Sequence, residues 1–154
     1  MMFFADRPKA AREMARVLRP GGRAAIAVWD SVERNPAYAI MNALLAEKAG
    51  PAAAEAIRLP FCLGDPADVT AALSAAGFGD VSVATETATA RFASARLMVE
   101  AELRGWLPLF DIQLDEARIA DILGAADQAF AEFTDSEGAA AFPMSAHIAS
   151  AIKP

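Results

Sequence analysis

The sequence holds 154 residues, which is enough for one domain with a substantial core. Its 55% hydrophobic and 22% charged residues exclude a chain that is disordered throughout. A net charge of −6, with only three lysines (Lys9, Lys48 and Lys153), excludes nucleic acid and an anionic membrane surface as partners.

Helical and extended segments alternate from the first residues onward. Asp6-Arg7-Pro8 starts a predicted helix that ends before Pro20-Gly21-Gly22, because proline cannot continue a helix and glycine accepts positive φ. The apolar run Arg23 to Trp29 is a predicted strand, and its lack of polar alternation indicates burial on both faces. Asn35-Pro36 opens the next predicted helix, and Pro51 to Arg58 is a shorter one.

The second half continues the alternation. Asp65-Pro66 starts a helix that Gly77 ends, and Val81 to Ala90 alternates like an edge strand. Ser94 caps a helix reaching Arg104, a longer helix runs from Asp115 to Phe133, and Ala139 to Ile152 is again extended. This order predicts half of a layered α/β domain.

Motifs for common catalytic and metal sites are missing. The only G-x-G, Gly77-Phe78-Gly79, lies between a helix and a strand, so it reads as a helix stop. His147 is the sole histidine, which favours a structural role and excludes a site of paired imidazoles. Cys62 has no sequence neighbour that would activate its thiol. Acids that lie close to each other in the sequence, such as Glu100 and Glu102, point to different sides of a helix and are predicted to be solvated. We therefore assign no catalytic residue and no metal ligand.

Aromatic residues are the best pocket candidates. Trp29 closes a strand at the end where α/β proteins place ligands. Tyr38, Phe61 and Trp106 fall in or beside loops that could wrap such a site, and Asn35 lies shortly before Tyr38 in the sequence. These five residues are the predicted substrate pocket, and ordinary core packing remains the alternative for each aromatic side chain.

Three segments resemble class I S-adenosylmethionine-dependent methyltransferases, especially the group that includes the quinone-biosynthesis C-methyltransferases. Arg12 to Gly22 ends in V-L-R-P-G-G and is similar to the link between the fourth and fifth strands of that family. Leu73 to Phe78 resembles its L-x-x-A-G-F before the sixth strand, and Ser145 to Pro154 resembles its final strand.

The resemblance implies that residues 1–154 form a single partial domain, the C-terminal half of a Rossmann-like methyltransferase fold. Its three-stranded mixed sheet would hold the family's strands in the order five, seven, six, with the last strand antiparallel to both neighbours. The family's glycine-rich donor loop and its ribose-binding acid have no counterpart here. Met2 and Phe3 are the only candidate donor contacts, so we expect no S-adenosylmethionine binding by this chain alone.

Two functions remain open at this level. One is an inactive fragment of a cytoplasmic methyltransferase whose acceptor is a small apolar molecule, held by the helices after Trp29 and by Ser94 to Phe133. The other is a non-enzymatic module that dimerises through the exposed edge of the Arg23 to Trp29 strand. No window offers 18 strongly apolar residues in a row, so we expect no membrane partner.

Overall fold

The computed structural model describes the whole chain, Met1–Pro154, and has the α/β architecture expected from the sequence. The helices are α1 (Arg7–Val17), α2 (Pro36–Lys48), α3 (Pro51–Arg58), α4 (Pro66–Ala75), α5 (Ala95–Ala101) and α6 (Glu116–Ala129). The strands are β1 (Arg23–Trp29), β2 (Gly79–Phe92) and β3 (Ala140–Ile152). No helix has both the length and the apolar character needed to cross a membrane.

Local hydrogen bonds explain why the helices begin where they do. The side chains of Asp6, Asp65, Ser94 and Asp115 each accept a backbone N–H from the first turn of α1, α4, α5 and α6. Such caps satisfy donors that the helix itself cannot use. The predicted starts of these helices are therefore confirmed. The predicted extension of α5 to Arg104 is not, since its regular part ends at Ala101.

The three strands form one sheet in the order β1-β3-β2, with β3 in the centre. β1 pairs antiparallel with β3, from Arg23 opposite Ile152 to Trp29 opposite Ala146. β2 also runs antiparallel to β3, because Ser82 bonds Ser150 and Thr85 bonds His147 in descending register. The predicted central position and direction of the last strand are confirmed.

The chain divides into two compact units. The first unit comprises residues 1–31, 59–87 and 145–154, and the second comprises residues 32–58 and 88–144. In the first unit, α1 and α4 cover one sheet face, with a buried core of Ala15, Val28, Leu63, Val69, Leu73, Phe78, Ala149 and Ala151. In the second unit, α2 packs against α3 and α6, and α5 packs against α6. Its largest fully buried side chains include Met41, Leu45, Met98, Ile122, Phe130 and Phe142.

The prediction that β1 is buried on both faces is wrong. Val28 is buried and Ala24 and Ile26 are partly buried, whereas Ala25, Ala27 and Trp29 on the other face are exposed. The helices of the first unit cover only one face of this strand, and small alanine side chains dominate its other face. Because alanine is compatible with both water and a core, the run of alanines could not reveal which face would be open.

Candidate functional site

The three family-like segments meet at one end of the sheet. The Gly21 N–H donates to the Lys153 carbonyl and the Lys153 N–H donates to the Gly22 carbonyl, each at 2.8 Å. The Lys153 Nζ also donates to the Leu18 carbonyl at 2.7 Å. Thus three hydrogen bonds join the C-terminal end of α1 and the turn after it to the residue that follows β3.

The third segment joins the same end. Gly77 ends α4 with a φ of +92°, a conformation that glycine adopts without steric cost. Phe78, which follows it, is buried in the core of the first unit, and a side chain on Gly79 would come 3.5 Å from Pro154. Segments that lie far apart in the sequence therefore assemble around the start of β1, the start of β2 and the end of β3.

The opposite end of the sheet carries a buried polar cluster centred on Asp30, directly after β1. Asp30 Oδ2 accepts the Ser145 hydroxyl at 2.8 Å, and Oδ1 accepts the Ser31 N–H at 2.7 Å. His147 Nε2 lies 3.4 Å from Oδ1. A buried carboxylate is tolerated when several donors surround it, and this one has them. Neither Asp30 nor Ser145 was a predicted site residue.

His147 is fully bonded, as its predicted structural role requires. Its Nε2 donates to the Gly64 carbonyl at 3.0 Å, because a carbonyl can only accept. The Nδ1 atom lies 2.9 Å from the Thr85 hydroxyl, which can donate or accept. Ser145 donates to Asp30 rather than to this imidazole, so the cluster does not present a hydroxyl activated by a histidine base.

The predicted donor contacts and one predicted aromatic residue lie in the same unit. Met2 packs against the core, while Phe3 is 61% exposed. Phe61 is buried, and the sulfur of Cys62 beside it lies 3.7 Å from the Met2 carbonyl oxygen. Arg7 Nη2 donates to the Cys62 sulfur at 3.0 Å, and the local sequence could not indicate this neighbour, which lies 55 positions away. Trp29, at the end of β1, is 37% exposed.

The other predicted pocket residues lie in the second unit, where Tyr38 donates to Glu102 Oε1 at 3.3 Å. Burial raises the pKa of the Glu102 carboxyl, and the Tyr38 hydrogen bond partly offsets that rise. Burial also raises the pKa of Tyr38, and the negative charge of Glu102 raises it further. The prediction that Glu100 and Glu102 are both solvated is therefore wrong for Glu102. Glu100 instead pairs with Arg104 at the surface.

A rare backbone geometry follows Glu102. Residues Glu102–Trp106 form a single wide turn in which the Leu107 N–H donates to the Glu102 carbonyl, five residues back. Such π-turns are uncommon in helices and are frequently found at functional sites. The turn places Trp106 so that its indole N–H donates to the Ala56 carbonyl at 2.8 Å. The ring then packs edge-on against Phe110, with centroids 5.1 Å apart.

Asn35 is the remaining predicted pocket residue. It precedes α2 and is fully buried, and its side chain does not cap the helix. The second unit therefore contains three of the five pocket candidates, Asn35, Tyr38 and Trp106, together with the unpredicted Glu102. No group of three or more His, Cys, Asp or Glu side chains is arranged to hold a metal ion.

Comparisons with known proteins identify structures but no family. No family model matches the chain, and no curated protein matches it. The chain is similar to the protein BH2331 of Bacillus halodurans C-125, a "putative methyltransferase", with 15% identity, a TM-score of 0.49, and coverage of 98% of this chain and 59% of that one. It is also similar to the YcgJ protein of Bacillus subtilis, with 19% identity, a TM-score of 0.45, and coverage of 97% and 58%. The chain thus spans less than two thirds of either structure.

Proposed function

We propose that this chain is the acceptor-binding part of an S-adenosylmethionine-dependent methyltransferase that acts on a small apolar molecule. The assembly of the three family-like segments at one end of the sheet carries this proposal. The resemblance of these segments was identified from the sequence alone. Each segment lies where the family would have it, at a junction between a helix and a strand or at the end of a strand. The central position of β3 between β1 and β2 agrees with the same family order.

The residues of this chain do not by themselves fit the methyl donor. At the carboxyl end of β1 the buried polar groups are engaged within the cluster, since Ser145 donates to Asp30 and His147 donates to the Gly64 carbonyl. Phe3 offers an exposed ring, but a ring alone cannot bind the ribose or the amino-acid part of the donor. We therefore expect donor affinity to require contacts that these 154 residues do not supply.

Donor binding tests the proposal directly. We expect isothermal calorimetry of the 154-residue chain to show no saturable heat with S-adenosylmethionine up to millimolar concentrations. The complete genomic reading frame that encodes this segment should bind the donor and transfer a labelled methyl group to an apolar acceptor. A complete reading-frame product without donor binding would overturn the methyltransferase proposal. Saturable binding by the 154 residues would instead show that the donor contacts lie within them.

A dimerising module is the second candidate, and the uncovered side of β1 favours it. β1 is an edge strand with one neighbour, and Ala25, Ala27 and Trp29 on its open face are exposed. An unpaired edge beside apolar side chains can pair with a second copy. Exposed Phe4 and Val17 also line a surface cavity of about 530 Å³ beside α1.

Sedimentation equilibrium at tens of micromolar protein tests the dimer. We expect a species of twice the 16.2 kDa chain mass, and a shift to monomer in Ala25→Lys, because a charge on an edge strand opposes pairing. Ala52→Lys, on the exposed side of α3, is the matched control and should leave the association unchanged. A single species of 16.2 kDa in the unmodified chain would end this alternative.

A further inference from the structure

One side of α1 is an apolar surface that the rest of the first unit leaves open. The cavity of about 530 Å³ on this side, which we call the α1 surface, is lined by the apolar Phe4, Ala10, Met14 and Val17 and by the charged Lys9 and Glu13. Phe4 is 51% exposed and Val17 is 68% exposed. Grouped apolar side chains in contact with water are typical of an interaction surface.

The helix that packs on α1 does not cover this side. α1 packs against α4, and Ala15 joins Val28 of β1 in the buried core. None of the residues that line the α1 surface belongs to α4. β1 is an edge strand of the sheet. The α1 surface and the unpaired edge of β1 are therefore two open features of the same unit.

The charges on the α1 surface complement themselves. Lys9 and Glu13 are four positions apart, so they lie along the same edge of the helix face. The Lys9 ammonium pairs with no carboxylate of its own chain, and Glu13 pairs with Arg16 at 2.8 Å in a solvent-exposed bridge. When two copies of α1 pack antiparallel about a two-fold axis, Lys9 of each copy lies opposite Glu13 of the other. A second copy thus presents the reversed charges that match this edge.

We propose that the α1 surface binds a second copy of this chain, with the two α1 helices antiparallel and the Lys9–Glu13 ion pair formed twice. Burial of Phe4 and Val17 from both copies stabilises the pair, and the charges fix its direction. A two-fold axis perpendicular to the sheet keeps both helices on the same sheet face and also brings the two β1 edges together. This shared axis rests on the dimer proposed above, whereas the contact between the α1 surfaces is measured with its own variants.

Charge exchange in the full chain, followed by sedimentation equilibrium, tests the ion pairs. Lys9→Glu places like charges opposite each other twice, so the dissociation constant of the dimer should rise by about ten-fold. The double variant Lys9→Glu/Glu13→Lys restores opposite charges and should return the constant to within about three-fold of its original value. Arg12→Glu is the matched control, because Arg12 is exposed on α1 outside the cavity and the change in net charge is the same. It should leave the constant unchanged.

Val17→Asp tests the apolar part of the contact. Val17 is 68% exposed, so its replacement removes no core packing. The new carboxylate would enter an apolar contact without a cation, and we expect only the 16.2 kDa species at tens of micromolar protein. Circular dichroism verifies that each variant is folded before sedimentation.

Carbodiimide coupling locates the contact. The reagent joins an amine to a carboxylate that touches it, and the sample is an equal mixture of unlabelled and isotope-labelled chains. We expect a linked Lys9–Glu13 peptide whose two parts carry different labels. Coupling within one chain would give matching labels, so the mixed peptide reports only contact between two copies.

Equal effects of Lys9→Glu and Arg12→Glu, no recovery in the double variant, or the absence of a mixed peptide would each overturn the proposal. A dimer that is lost in Ala25→Lys but retained in Val17→Asp would leave the β1 pair standing and exclude the α1 surface. An unmodified chain that sediments as a single 16.2 kDa species would exclude a second copy at either place. The methyltransferase proposal is independent of these results, because donor binding by the complete reading frame decides it.

Discussion

Replacing Gly64 with alanine introduces a methyl group where the backbone leaves no room. A Cβ at this position would overlap the backbone nitrogen of Ser31 and lie 2.5 Å from its Cα and 2.8 Å from its Cβ. Carbon atoms prefer separations of about 3.5–4.0 Å, so one segment must move by roughly 1 Å. The obstacle is mainly backbone, and no side-chain rotation can relieve it.

The expected cost follows from two contributions. Overpacking of a filled site costs about 1–3 kcal/mol. Displacement of Gly64 also weakens its carbonyl bond to the buried His147, which contributes about 1 kcal/mol. We therefore expect Gly64→Ala to lower the free energy of unfolding by roughly 2–4 kcal/mol, with a fall in Tm of about 2–4 °C for each kcal/mol.

Urea unfolding followed by tryptophan fluorescence measures the loss of stability in the first unit, which contains Gly64. The chain has two tryptophans, and Trp29 lies in the first unit while Trp106 lies in the second. A Trp106→Phe background therefore makes the signal specific to the unit that contains Gly64. Gly124→Ala is the matched control, because nothing lies within 4 Å of its Cβ position inside α6. That variant, read from Trp106 in a Trp29→Phe background because Gly124 lies in the second unit, should gain about 0.5–1 kcal/mol. A Gly64→Ala variant within about 0.5 kcal/mol of its parent would refute the close-approach argument.

Three further changes test other features by urea unfolding. At pH values above the pKa of Glu102, Glu102→Gln should be more stable than its parent. Folding raises the pKa of this carboxyl group, so the stability that it contributes at low pH is lost as the pH rises through that pKa. Equal pH profiles for the two proteins would contradict this. Phe130→Ala should cost about 3–5 kcal/mol, because the ring is fully buried; a loss below about 1 kcal/mol would exclude that packing. Ser94→Ala should cost about 1 kcal/mol through loss of its bond to the Leu97 N–H, and an unchanged midpoint would show that the cap is dispensable.

The candidate site could be anticipated only in part. Tyr38 and Trp106 were selected as aromatic residues in or beside loops, and both belong to the second unit. Their partners could not be selected, because Tyr38 meets Glu102 across 64 positions and Trp106 meets Ala56 across 50. The sequence also could not distinguish Glu102 from Glu100, since both are acids on one helical segment and only packing decides which is buried.

The sequence alone was sufficient to predict where the helices of this protein begin, because the interactions responsible are local. Caps at Asp6, Asp65, Ser94 and Asp115 act within three residues, and prolines and glycines act on their own backbone, so the starts of the helices were readable directly. The central position of β3 was anticipated by resemblance to a family rather than by propensity.

Tertiary structure alone decided the polar cluster and the open face of β1. Asp30 meets Ser145 across 115 positions, and Gly64 approaches Ser31 so closely that only a glycine fits. Hydrogen bonds between residues so far apart in the sequence depend on the tertiary structure, and the residues adjacent in sequence do not indicate which distant partner will be reached. An alanine in the sequence also does not indicate whether its position is buried, because burial or exposure of a single methyl group changes the free energy of folding only a little.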